Sequence, residues 1–203
     1  IAWQQGHAAT FLPKWSHDKV GSSSHIHQSL WAGDDPVFYD AGDALGMSAV
    51  MKNYLAGLLK YAADTTYFLA PYVNSYKRFM VGTFAPTRVI WSVDNRTAGY
   101  RLCGAGSRAV RIECRVGGSD LNPYLAIAGQ IAAGIAGITE NLPLIPPSKG
   151  DTYKADAQTI PANLRTARQA LNDSTMLRGA MGDDVIDHYA RCAEWEYEEF
   201  DRV

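Results

Sequence analysis

The segment Arg111–Val116 alternates strictly between charged and apolar side chains, with Arg111, Glu113 and Arg115 on one side. This period of two predicts a strand that has one face in the core and one polar face. Between Arg78 and Arg115 the chain carries seven arginines but only two acids. Because guanidinium groups suit two-pronged contacts with carboxylates and phosphates, the segment predicts the floor of a site for a multiply anionic ligand. A surface strand with a local ion pair is the alternative.

Two histidines add a second chemical signal. His25, His27 and Ser29 fall on one face of a predicted strand over residues 24–31. Two imidazoles at this spacing can approach one cation or one phosphate, although ordinary half-buried histidines also fit the pattern. Glu113 between two arginines is expected to stay ionised, and together with His25 it suits Mg²⁺ or Mn²⁺ that bridges phosphates. Two protein ligands are too few for a complete metal site.

Other nucleotide and nucleophile motifs are weak or missing. The segment Gly104–Ala109 resembles a dinucleotide-binding glycine fingerprint, but the element that follows has the pattern of a strand and not of a helix. A tight hairpin turn is therefore the better interpretation. The sequence contains neither a Walker glycine loop nor a Gly-x-Ser-x-Gly elbow.

Composition limits the class of protein. The 203 residues are 47% hydrophobic and 20% charged, which is typical of a folded domain or a large part of one. A net charge of −2 without a lysine-rich face argues against nucleic-acid binding. The longest apolar run, Leu125–Ile138, is shorter than the roughly 20 residues of a membrane span. Three cysteines at spacings that suit neither zinc nor a disulfide framework indicate a reducing, cytoplasmic setting.

Hydrophobic periodicity and turn signals predict the elements that position these residues. The predicted strands cover residues 8–15, 24–31, 87–94, 99–103 and 108–116. The predicted helices cover residues 45–69, 122–139, 162–172 and 183–200, and residues 74–86 are a predicted loop. Because strands and helices do not alternate as β-α-β units, we expect an α+β fold with a mainly antiparallel sheet and helices packed on it.

Five segments in order resemble the C-terminal catalytic part of the glutamine synthetase family. They are Gly21–Leu30, Asn74–Phe79, Asp94–Ala98, Arg111–Arg115 and Asn122–Ala126. The resemblance covers roughly residues 8–140. The sequences of Gly82–Pro86 and Arg111–Arg115 resemble those of glutamate–amine ligases, such as γ-glutamylpolyamine synthetase-like members, more than those of enterobacterial-type glutamine synthetase.

The resemblance implies a role for each residue of the polar surface. His25 and Glu113 match ligands of a metal ion, Mg²⁺ or Mn²⁺, near the nucleotide phosphates, and Arg96 matches the arginine that stabilises the phosphoryl group in transfer. The residues that match positions around ATP are His27, Ser29, Arg101, Arg108 and Arg111. The residues that match positions around glutamate are Gly21, Arg78 and Arg115.

The implied activity has two steps. ATP phosphorylates the γ-carboxylate of glutamate, and ammonia or an amine then displaces phosphate from the γ-glutamyl phosphate. A non-catalytic relative that keeps the scaffold as a binding or structural protein is the alternative. Loss of Glu113 or of the arginines would have favoured it, and all are present. An unrelated anion-binding α+β domain does not account for five ordered segments.

Two further expectations follow from the resemblance. In glutamine synthetases a glutamate on the flap loop stands where this chain has Phe84, which favours either a larger, already neutral amine as the acceptor or a rearranged ammonium site. The family's other metal-binding glutamates and its N-terminal β-grasp domain lie upstream, so residues 1–203 are expected to form a single partial catalytic domain. The full-length protein is expected to be a cytoplasmic homo-oligomer whose partners are glutamate and ammonia or an amine, without nucleic acid or membrane.

Overall fold

Residues 1–202, the part of the chain that the computed structural model describes, contain a four-stranded sheet and seven α-helices. The strands are β1 (Ile26–Gln28), β2 (Trp31–Ala32), β3 (Asp35–Pro36), β4 (Trp91–Val93), β5 (Tyr100–Cys103) and β6 (Arg111–Cys114). The helices are α1 (Ala49–Lys60), α2 (Ala62–Leu69), α3 (Val73–Tyr76), α4 (Pro123–Thr139), α5 (Leu164–Asp173), α6 (Thr175–Met181) and α7 (Asp183–Asp201). Strands β2 and β3 form a separate hairpin.

The main sheet has the strand order β1-β6-β5-β4. Strand β6 pairs antiparallel with both β1 and β5, whereas β4 and β5 are parallel. The α+β fold is thus confirmed, but the expectation of a mainly antiparallel sheet is too broad. Asp94, just after β4, takes a left-handed conformation (φ 48°) at the start of the connection that leads back to β5, which then runs parallel to β4. The Asp94 N–H then donates to the Leu102 carbonyl.

The apolar face of the sheet packs against helix α1. Ile112 and Cys114, the alternate residues of β6, are fully buried and share a core with Met51 and Leu55 of α1. The predicted alternation of the central strand is therefore confirmed on this side. Burying these side chains contributes about 1.5–3 kcal/mol for each large one.

Helices α1 and α4 pack against each other at glycine residues. A Cβ atom added to Gly57 would lie 2.2 Å from the Ala133 carbonyl oxygen and 2.7 Å from the Gly137 Cα. A Cβ atom added to Gly137 would lie 2.6 Å from the Gly57 Cα. The two backbones thus touch directly at this crossing, and larger side chains would separate them.

Capping residues in the sequence mark the start of helix α4. The Asn122 side chain accepts a hydrogen bond from the Tyr124 N–H, and Pro123 occupies the first turn. Helix α4 spans Pro123–Thr139, in agreement with the predicted 122–139.

Three element predictions are wrong or incomplete. Residues 8–15 form no strand, since the backbone of Lys14 pairs with the side chain of Asn74 instead of with a neighbouring strand. The predicted helix 45–69 is two helices, α1 and α2, divided at Tyr61, and it starts later, where Ser48 caps Ala49. Helix α3, which overlaps the start of the predicted loop 74–86, and helix α6, which Ser174 caps, were not predicted.

No helix within residues 1–202 has both the length and the apolar character that crossing a membrane requires.

Candidate active site

Three strands place polar side chains in one row across the sheet. In the strand register, Glu113 of β6 lies opposite His27 of β1 on one side and opposite Arg101 of β5 on the other. Residues that face each other in this way project from the same face of a sheet. We call His25, His27, Arg101, Glu113 and Arg115 the polar row.

Glu113 is the centre of the polar row. Its Oε1 accepts a hydrogen bond from Arg115 Nη1 at 2.9 Å, and its Oε2 accepts one from Arg101 Nη1 at 3.0 Å. Glu113 and Arg115 are only 3% and 4% exposed. The polar face of β6 is therefore not an open surface, and the alternative of a solvated surface ion pair does not apply to it.

The charges around Glu113 keep it ionised. Burial alone would raise the pKa of its carboxyl group, but the charge of Arg115 and the hydrogen bond from Arg101 outweigh burial and hold the pKa below its usual range. Arg115 contacts the Glu113 carboxylate, and Arg101 contacts the carboxylates of both Glu113 and Asp94. The two guanidinium groups carry several N–H donors, which are suited to bind a further anion.

Both histidines contact the same carboxylate oxygen. His25 Nδ1 lies 3.0 Å and His27 Nε2 lies 3.6 Å from Glu113 Oε1. Burial and the charge of Arg115 lower the pKa of His25, although Glu113 opposes this shift. His25 is therefore neutral near pH 7, which is the form that binds metal ions.

The donors fit a divalent cation only in part. A neutral imidazole and an ionised carboxylate at 3.0 Å suit Mg²⁺ or Mn²⁺ as partial ligands. Within residues 1–202, however, no group of three or more histidine, cysteine, aspartate or glutamate side chains is arranged to hold a metal.

Two residues that contact the polar row, Asp94 and Cys103, were not predicted from the sequence as part of the site. Asp94 Oδ1 accepts a hydrogen bond from Arg101 Nε at 3.0 Å, and Cys103 Sγ lies 3.9 Å from Glu113 Oε2. Cys103 is two positions after Arg101, so the alternation of β5 would have placed both on the polar face. No local signal places Asp94, because its position depends on the turn after β4.

Two of the predicted glutamate-binding residues, Arg78 and Gly21, lie against each other. Arg78 is 3% exposed and donates to the Val116 carbonyl oxygen, while its Nε has no hydrogen-bond partner among the described residues. Burial lowers the pKa of Arg78 to about 10, so it remains charged near pH 7. A Cβ atom on Gly21 would lie 2.7 Å from the Arg78 Cγ and 2.4 Å from the Pro13 carbonyl oxygen.

Two more predicted residues border the polar row. Arg115 Nε donates to the Arg96 carbonyl oxygen at 3.2 Å, which brings the backbone of Arg96 to the row. Arg111 Nε donates to His27 Nδ1 at 3.3 Å.

The remaining two predicted residues lie near the β2–β3 hairpin. Ser29 Oγ accepts a hydrogen bond from Trp31 Nε1, and Arg108 donates to the Asp34 carbonyl oxygen at 3.4 Å. The structure does not bring these two side chains into contact with Glu113.

Phe84 occupies a strained position. It has a left-handed backbone (φ 54°) and an exposed ring. A bulky residue in this conformation is uncommon, and strain of about 1–3 kcal/mol persists only where the surroundings enforce it.

The protein is thus an α+β protein whose sheet presents a buried carboxylate between guanidinium and imidazole groups. The sequence profile of the family described as glutamine synthetase, catalytic domain, matches residues 1–203. The chain belongs to this family.

Curated relatives fall into two groups. The chain is 44% identical over 201 residues to gamma-glutamylethanolamide synthetase GlnA4 of Streptomyces coelicolor, covering 99% of this chain and 43% of that protein. It is 36% identical to the glutamate–isopropylamine ligase of a Pseudomonas species, covering 97% and 44%. It is 34% identical to the glutamine synthetase of Thermotoga maritima, covering 96% and 46%. The chain thus spans less than half the length of these relatives.

A solved structure agrees with the fold. The GmaS/ADP complex superposes with a TM-score of 0.91 at 30% sequence identity, covering 99% of this chain and 48% of that one. The resemblance to glutamine synthetases and glutamate–amine ligases is therefore confirmed at the level of family and fold.

Proposed function

We propose that the full-length protein joins ammonia or an amine to the γ-carboxylate of glutamate through a γ-glutamyl phosphate formed with ATP. The observation that carries this proposal is the polar row, in which a buried Glu113 is hydrogen-bonded by Arg101 and Arg115. Phosphoryl transfer depends mainly on positioning and on neutralising negative charge, and this arrangement supplies fixed positive charge. Membership in the family and the printed activities of the relatives support the same reaction.

The proposal assigns roles to the residues already described. His25 and Glu113 hold a divalent cation, which when bound supplies charge that neutralises phosphate oxygens. Arg96 stabilises the phosphoryl group in transfer. The nucleotide-binding residues are His27, Ser29, Arg101, Arg108 and Arg111. The glutamate-binding residues are Gly21, Arg78 and Arg115.

The proposal extends to the protein as a whole. Residues 1–203 form one part of a larger catalytic domain, and the full-length protein is a cytoplasmic homo-oligomer. The chain's coverage of less than half of its relatives' length supports the first statement.

The deciding experiment measures ADP release by the full-length protein with glutamate, ATP and Mg²⁺. Ammonium, ethanolamine and isopropylamine are supplied separately as acceptors. We expect turnover with at least one of the three. No ADP release with any of them, from a protein that binds ATP, would favour the non-catalytic alternative.

Phe84 provides the test of acceptor size. We expect Phe84→Glu to lower kcat/KM for an alkylamine by about tenfold relative to that for ammonium, since an apolar contact is replaced by a charge. Val81→Glu adds the same charge to the same loop at another exposed position and serves as the matched control. An unchanged ratio of the two kcat/KM values in Phe84→Glu would remove Phe84 from the acceptor site.

Gly21 provides a test of the glutamate site. We expect Gly21→Ala to raise KM for glutamate by about tenfold or more, because the new Cβ must displace Arg78, and small displacements of binding groups have large kinetic effects. The KM for ATP should change little. Gly42→Ala, whose Cβ would meet only Asp40 Oδ1 at 3.4 Å, is the control. An unchanged KM for glutamate in the folded Gly21→Ala variant would contradict the assignment.

A further inference from the structure

A cavity of about 770 Å³ lies among the end of α2, the start of α4 and helix α7. The rings of six tyrosine, phenylalanine and tryptophan residues and the imidazole of His188 line it: Tyr67, Phe68, Tyr72, Tyr124, His188, Tyr189 and Trp195. None of the residues to which the proposed ligase reaction assigns a role is among the described residues that line this cavity. We call it the aromatic cavity.

The rings of the aromatic cavity pack against one another. The Tyr189 ring lies 6.0 Å from the Phe68 ring at 87°, and 6.5 Å from the Tyr67 ring. Tyr124 and Trp195 are mostly exposed, so the cavity opens to solvent beside them. The faces of aromatic rings carry partial negative charge and attract cations within about 6 Å.

Two carboxylates add negative charge to the lining. Asp120 Oδ2 accepts a hydrogen bond from the Ser75 hydroxyl at 2.6 Å, whereas Asp120 Oδ1 is buried and has no hydrogen-bond partner. Burial raises the pKa of Asp120, although the bond from Ser75 and the charge of Arg78 oppose the shift. Glu196, the second acid, accepts a bond from the Val73 N–H at 3.4 Å.

The positive groups nearby are engaged elsewhere. Arg191 lines the cavity but donates to Glu194 Oε2 at 2.5 Å. Arg78, whose charge acts on Asp120, donates its hydrogen bond to the Val116 carbonyl oxygen. Asp120 Oδ1 lies against Gly118, 2.5 Å from where a Cβ atom would stand, so Asp120 contributes its charge to the lining and not a contact atom.

We propose that the aromatic cavity binds a small organic ammonium ion. The rings of Tyr189 and Trp195 surround the cation, and the carboxylates of Asp120 and Glu196 balance its charge. This inference does not depend on the ligase reaction, because it concerns a binding site that shares no lining residue with the polar row.

The test uses choline as a probe, with the full-length protein and isothermal calorimetry. Choline carries no N–H bond on its nitrogen, so it cannot act as an acceptor amine and its binding is separable from turnover. The control ligand is 3,3-dimethylbutan-1-ol, which has the same shape with carbon in place of the charged nitrogen. We expect saturable choline binding and about tenfold weaker binding of the neutral ligand.

Single substitutions in the lining test whether choline binds in the aromatic cavity. We expect Trp195→Ala and Asp120→Asn each to weaken choline binding by about tenfold, and Glu196→Gln to weaken it by a smaller factor. Glu199→Gln removes the same charge from the same helix outside the cavity and should leave binding unchanged. Equal affinities for choline and its neutral analogue would overturn the proposal. So would the absence of saturable binding, or variants that bind choline as the unmodified protein does.

Discussion

Replacing Glu113 with glutamine should lower the free energy of unfolding by about 3–5 kcal/mol and abolish turnover of the full-length protein. Glutamine has nearly the same shape, so the loss comes from charge and not from a cavity. Arg115, which is 4% exposed, would keep its buried positive charge while losing the carboxylate that compensates it. Arg101 would lose one of its two carboxylate partners and keep Asp94.

Urea unfolding measures the stability effect, and ADP release measures the activity. Glu140→Gln is the matched control, because Glu140 also accepts hydrogen bonds from a cation and a second donor, Lys60 and Tyr61, but on the surface. We expect its urea midpoint to stay close to that of the unmodified protein. Similar urea midpoints for the two variants would show that the buried Glu113 contributes no more to stability than the exposed Glu140.

Replacing Gly57 with alanine should be destabilising by about 3 kcal/mol or more. The added methyl group would meet backbone atoms of α4 at 2.2 and 2.7 Å, and backbone atoms cannot rotate away as a side chain can. The two helices would have to move apart, which would loosen the packing of α1 against the sheet. Alanine is the better helix former, so the result opposes intrinsic helix propensity.

Gly179→Ala in α6 is the control for Gly57→Ala. A Cβ atom at Gly179 meets nothing within 4 Å, so only helix propensity acts there. We expect this change to stabilise the protein by about 0.5–1 kcal/mol. Thermal unfolding of the two variants should therefore shift in opposite directions. A stabilising effect of both would mean that α1 and α4 are not in backbone contact.

Local signals in the sequence were enough for some elements. Helix α4 was predicted well because Asn122 and Pro123 mark its start within two residues. The alternation of β6 was predicted because a period of two needs only the segment itself. In both cases the information lies close along the chain.

Other features depend on distant parts of the chain. The predicted strand at 8–15 failed because Asn74 satisfies the backbone of Lys14, and nothing near residue 14 reveals this. The parallel pairing of β4 depends on its contacts with β5. Nothing in the sequence indicated that Glu113 and Arg115 are buried or that Cys103 lies beside Glu113, because both depend on neighbouring strands.

The register that places His27 beside Glu113 also has a consequence for the order in which the protein folds. His25 and Arg115, which flank this pair, are 90 positions apart in the sequence. During synthesis, β1 therefore emerges on the order of ten seconds before β6, the strand with which it pairs, at ordinary elongation rates. Pairing across so long a loop is slow to nucleate. The site is thus completed only after the chain through β6 has been made, and ligand binding should be absent from every earlier stage of synthesis.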